Sequence, residues 1–233
     1  MRCVGVDGSK AGWLAVSRSS DGFAFAVHAQ PHELVAAHAD AAVIAVDVPI
    51  GLPDRGRRAS DAAARAFLGR PRASSVFSAP VRGVLGATTY AEALQLHRHF
   101  DDGRGLSAQA FGILPKIRAW DDLLRHDGAA RARVFEIHPE VSFAALDGGR
   151  GLAAGKKTAD GREQRLALLG RAFDEARVRA VLAAVPRRLA APDDVLDAFA
   201  ALWSAERIAV GVACSLPARP APDANGWIVA IHY

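Results

Sequence analysis

The chain has 233 residues, 51 % of them apolar, and a formal net charge of +4. That content supports a sizeable packed core and excludes wholesale disorder, and no apolar run reaches the ~20 residues a membrane span needs. The basic balance, with a pI near 9.5, permits contact with a polyanion without requiring it.

Residues 2–7, RCVGVD, read as a short strand ending in an acid, with Gly8 and Ser9 as a turn. With no charged region followed by a signal-peptide core at this apolar start, a signal peptide is not expected. Cys3 and Cys214 are the only cysteines, and they fit two buried thiols in a reducing cytoplasm. Further strands are expected at 12–18 and 23–29, joined at Asp21-Gly22, a strong hairpin signal. A helix over 31–38 starts at Pro31, which suits a first turn. Val43 to Val48 is almost continuously apolar, as expected for a central strand covered on both faces.

Residues 55–130 read as a largely helical insertion, with a loop at 71–89. A strand returns at 133–137, and a glycine-rich linker follows from Gly148 to Gly155. Helices are expected near 161–184 and 192–210, and a last strand at 226–233. The whole is an α/β chain, 1–233, built on a mixed sheet flanked by helices.

Five acids stand out by position. Asp7 ends the first strand, where a carboxylate after buried residues needs a partner or a cation; its plainer reading is a turn cap. Asp47 lies between Val46 and Val48 just before Pro49, so it marks the end of a central strand. Its alternative is a structural carboxylate bonding loop amides. Glu136 sits in a strand stopped by Pro139, on one face with His138, and either could be a ligand or proton carrier. Asp194 and Asp197 share a face of the last helix, where like charges repel unless a cation lies between them. Asp194 could instead cap that helix. Hard oxygen donors of this kind select Mg²⁺ or Mn²⁺ over zinc.

VGVDGSKAGW (4–13), AVDVPIGLP (45–53), SSVFSAP (74–80), FEIHPEVSF (135–143), GKKTADGREQR (155–165) and DDVLDAFAALWSAER (193–207) together resemble the DUF429 family, described as predicted RNase H-like nucleases. The resemblance implies a single RNase H-like domain with a helical insertion. It matches Asp7, Asp47, Glu136 and Asp197, with Asp194, to the family's acidic positions. Ala119 departs from the pattern, since Glu is expected there.

Between 55 and 82 the chain carries Arg55, Arg57, Arg58, Arg65, Arg70, Arg72 and Arg82 against Asp61 alone. Arginine suits bidentate phosphate contact, so this stretch could overhang the acids, or be a solvated helix face. Arg72, Ser74, Ser75, Lys156 and Lys157 are the candidate phosphate donors. The four tryptophans, Trp13, Trp120, Trp203 and Trp227, are expected in the core.

The leading expectation is a Mg²⁺- or Mn²⁺-dependent phosphodiesterase acting on nucleic acid. Asp7, Asp47, Asp194 and Asp197 would be ligands, and Glu136 a ligand or proton acceptor. An actin-like phosphotransferase or ATPase is the alternative, because DGSK (7–10) after a strand resembles a phosphate loop. A third is a non-catalytic binding module whose acids are structural. The sequence does not bear on oligomeric state.

Overall fold

The computed structural model describes all 233 residues, Met1–Tyr233. A five-stranded mixed sheet runs in the order β3-β2-β1-β4-β5. The first three strands, β1 (Cys3–Ser9), β2 (Gly12–Ser19) and β3 (Gly22–His28), form an antiparallel meander. Helix α1 (Pro31–Ala37) then crosses over to β4 (Val43–Val46), which pairs parallel to β1. A parallel neighbour requires such a crossover. β5 (Val134–Glu136) lies parallel on the far side of β4.

Both sheet faces are covered, so the central strands are apolar on both sides. On one face Cys3, Leu14, Val16, Val43 and Ala45 pack with α8 (Ala159–Phe173), α9 (Glu175–Ala184) and α10 (Pro192–Ala209). On the other, Val4, Val6, Ala15, Ile44 and Val46 meet Leu34 and Val35 of α1, and Ile117, Trp120 and Leu124 of α5 (Leu114–His126). Between β4 and β5 lie α2 (Ala59–Leu68), α3 (Tyr90–Phe100), α4 (Ala108–Gly112), α5 and α6 (Gly128–Arg133).

Gly5 sets the closest approach between layers. A Cβ there would stand 2.0 Å from Leu202 N and 2.2 Å from Ala198 O, so α10 lies directly on β1. Only a residue without a side chain admits a backbone this near.

Several boundaries differ from the sequence reading. Gly8 and Ser9 stay in the β1–β2 ladder, paired with Trp13 and Gly12, so Asp7 lies inside its strand. The expected helix over 161–184 is two helices, because Asp174 adopts φ 72 and its carboxylate caps α9 through Ala176 N. The last strand shrinks to β7 (Ile231–His232), paired with β6 (Ser215–Leu216). A helix that was not expected, α7 (Pro139–Leu146), follows β5 directly. Cys3 is buried, but Cys214 is exposed, and both are free. Trp13, Trp120 and Trp227 are buried, while Trp203 is half-buried beneath Arg207.

Candidate carboxylate centre

Strand register brings the first two acids together. Val6 pairs with Val46 in parallel, so Asp7 and Asp47, one residue further along each strand, face the same side. The ladder continues past β4 through Asp47 N, which donates to Val6 O at 3.1 Å. The two carboxyls are close enough that the Asp47 charge raises the Asp7 pKa. The third acid comes from α10. Gly5 is on the Asp7 face of β1, and its contact with Ala198 and Leu202 draws the N-terminal half of α10 over Asp7. Asp197 projects there and is 1 % exposed.

Three clustered carboxylates away from water are costly to ionise. Burial, then the charges of Asp197 and Asp47, hold the Asp7 carboxyl well above the usual range. Burial raises Asp47 as well, against the opposing pull of His138 and Lys156. Burial pushes Asp197 up to about 7, although Lys156 opposes it. Asp197 Oδ2 accepts from Lys156 Nζ at 2.7 Å, whereas its Oδ1 is buried with no partner.

The cluster opens into a cleft of about 190 Å³. Asp7, Asp47 and Asp194 line its floor, Trp13, Phe77 and Ile113 its apolar walls, and Lys116 and Lys156 its cationic side. Lys116 lies across Gly8, where a Cβ would be 2.6 Å from its Nζ, and donates to Ser9 O at 3.1 Å. Its ammonium also stands 5.2 Å from the Trp13 ring centroid. A larger cleft of about 390 Å³ beside β5 and Trp227 has no comparable group of acids.

No group of three or more His, Cys, Asp or Glu side chains is arranged as a ready ligand set. The donors nevertheless suit a hard divalent cation: all are carboxylate oxygens, they repel one another, and one is an orphan in the core.

A family described as "Protein of unknown function (DUF429)" matches residues 5–222. The chain belongs to the DUF429 family. Neither the curated proteins nor the solved structures contain a match to it.

Other sequence-predicted residues of this DUF429 protein lie elsewhere. Glu136 pairs with Val46, so it is Ile137, not Glu136, that falls beside Asp47. Glu136 therefore points to the opposite face of the sheet. There its carboxylate receives both Arg58 Nη atoms and Ile50 N, and Arg58 also holds Asp61 at 3.0 Å. Burial disfavours the Arg58 charge, but Glu136 and Asp61 more than reverse this and raise its pKa. An acid so engaged is structural, which corrects the expectation of a ligand or proton acceptor.

Asp194 does reach the cleft, and it also caps α10 by accepting from Ala191 N at 2.8 Å. The capping reading therefore describes it, and its carboxylate also stands in the cleft. Lys156 is in the cluster, whereas Lys157 is exposed. Ser74 donates to Pro71 O, and Ser75 offers its carbonyl to His138 Nε2 at 3.4 Å. Arg72 donates to Ala153 O. None of these three lines the cleft.

The arginine-rich stretch is likewise largely committed. Arg58 is buried, Arg65 holds Val76 O and Ser78 Oγ, and Arg82 bridges Asp121 and Asp223. No arginine lines the cleft.

Sequence reasoning missed Lys116, Phe77 and Gln109, which the segment between β4 and β5 supplies. It also missed Glu140 of α7, buried and paired with Arg165, whose charge acts on Asp197. His138, left in the sequence as a possible ligand or proton carrier, acts on Asp47 and has a buried Nδ1 with no partner. A usable signal for Glu140 was its place in the first turn after Pro139, where a helix start attracts acids.

Proposed function

We propose that this DUF429 protein is an RNase H-like, metal-dependent phosphodiesterase acting on nucleic acid in a reducing cytoplasm. One observation carries the reading: Asp7, Asp47 and Asp197, desolvated and mutually repelling, meet beneath a cleft walled by two lysines. Asp7, Asp47 and Asp197 would hold Mg²⁺ or Mn²⁺, with Asp194 on the cleft floor beside them. When bound, such a cation supplies Lewis acidity to phosphodiester hydrolysis and neutralises charge on the phosphate.

The chain's own residues do the rest. Lys116 and Lys156 offer ammonium donors to phosphate oxygens entering the cleft. Trp13, Phe77 and Ile113 exclude bulk water and so strengthen those interactions. The carboxylates fix the position of the scissile group, because α10 cannot move away from β1 without opening the Gly5 contact. No helix of the protein is long and apolar enough to cross a membrane.

Asp7→Asn should abolish Mg²⁺-dependent cleavage of RNA, DNA or a branched substrate. Undiminished cleavage by that variant would reject the mechanism.

A further inference from the structure

Lys156 is the one cation in direct contact with a carboxylate of the cluster. Its Nζ is 2.7 Å from Asp197 Oδ2 and 4.0 Å from Asp193 Oδ2. Asp7 and Asp47 act on the same ammonium. It therefore occupies a place among the acids that a metal ion would otherwise compete for.

The backbone that carries Lys156 is clamped on three sides. Arg72 Nη2 donates to Ala153 O, and Arg165 Nη1 donates to Ala154 O. Gly155 O accepts from both the backbone N and the Oγ1 of Thr158, the N-cap of α8. Gly161 lacks a side chain where a Cβ would meet Gly155 O at 2.0 Å, so the linker is pressed onto the helix. Arg165 is itself fully buried and bound to Glu140. The root of the side chain is thus fixed within reach of Asp197, and the 40 % exposed stem lays the ammonium against that carboxylate.

The ammonium sits among opposite charges: Asp197 and Asp193 lie against it, Asp7 and Asp47 act on it, and Asp194 shares the cleft. A second divalent ion would have to enter beside this fixed positive charge.

We infer that Lys156 is a resident second cation, so that the centre takes one divalent ion where a two-metal site would take two. The inference rests on the reading of these carboxylates as a metal centre, and it fixes how that centre is populated. In such a site the ammonium would neutralise a phosphate oxygen on the side away from the metal, acting as a point charge.

Titration calorimetry with Mn²⁺ alone, on the full chain, tests this without any substrate. Wild type should take up one Mn²⁺ per chain. Lys156→Met should take up two, and Lys156→Arg, which keeps the charge, should remain at one. Thermal unfolding of each variant establishes that it is folded before titration.

Two Mn²⁺ per wild-type chain would mean that the ammonium yields its place, and would overturn the inference while leaving the metal centre standing. One Mn²⁺ in both wild type and Lys156→Met would overturn it equally. No uptake by any of the three proteins would overturn the metal-centre reading itself, and this inference with it. If Lys156→Met fails to fold, Lys156→Gln carries the same test: two Mn²⁺ in that variant supports the inference and one overturns it.

Discussion

Glu136→Gln separates a structural acid from the carboxylate centre. The Glu136 and Arg58 side chains are 5 % and 1 % exposed, so the substitution leaves a buried guanidinium short of one full charge. Removing one partner of a buried ion pair costs ~3–5 kcal/mol. Asp61 remains on Arg58 at 3.0 Å, and the glutamine amide oxygen can still accept, so the cost falls just below that range, at about 2–3 kcal/mol. For a chain of this length each kcal/mol lowers Tm by about 2–4 °C, giving a fall of roughly 5–10 °C. Asp7→Asn should move Tm the other way in metal-free buffer. Its carboxyl is held well above the usual range by burial and by its acidic neighbours, so removing the charge relieves a cost that function imposes. Calorimetric melting in a chelator reads both signs, and Mn²⁺ titration should find the stoichiometry of Glu136→Gln unchanged. An unchanged Tm together with lost Mn²⁺ uptake in Glu136→Gln would refute the structural role given to Glu136.

Gly5→Ala must push α10 outward, since the added Cβ would lie 2.0 Å from Leu202 N. It should cost about 1–3 kcal/mol or more in guanidinium unfolding and weaken Mn²⁺ binding in parallel, because Asp197 moves with the helix. His38 gives a pH signature: burial and Arg2 lower its pKa to about 4. A depressed pKa means stability that is present above the unfolded value of 6.5 and is lost as pH falls towards 4. Discounted for solvent screening, the loss is about 1–2 kcal/mol, and His38→Leu should flatten that limb of the stability–pH curve relative to wild type. Lys116→Met should weaken binding of single-stranded nucleic acid and reduce the slope of log affinity against log salt by about one. A slope identical to wild type would place Lys116 outside the phosphate path.

The acids that proved to lie together were legible because each interrupts an apolar run. Asp47 between two valines and Asp197 within a helix buried from Val195 to Leu202 mark themselves as buried charges. Glu136 misled for a reason of parity. Alternation within its own strand cannot say which face is the acid's, and the β4–β5 register, invisible in the sequence, assigns it opposite Asp7. The arginine-rich stretch misled similarly. Composition gives the excess charge, but only the fold shows Arg58 and Arg82 already engaged by acids 78 and 141 residues away. The helices between β4 and β5 were legible as helices, yet what they bring to the site, Lys116 and Gln109 with Phe77 from the same segment, depends on how that segment folds back over β1.

The Gly5 contact also dictates when the cluster can exist. Asp7 leaves the ribosome early and Asp197 late, and their meeting waits for Ala198 and Leu202 to settle on the bare backbone of β1. Contacts of such long sequence separation close late and slowly. Until then the N-terminal meander keeps an uncovered apolar groove, a surface on which a nascent chain is vulnerable to aggregation and which a chaperone would shield. Assembly of the carboxylates is thus tied to completion of the sheet's last covering layer, so an incomplete product would carry the first acids without the means to use them.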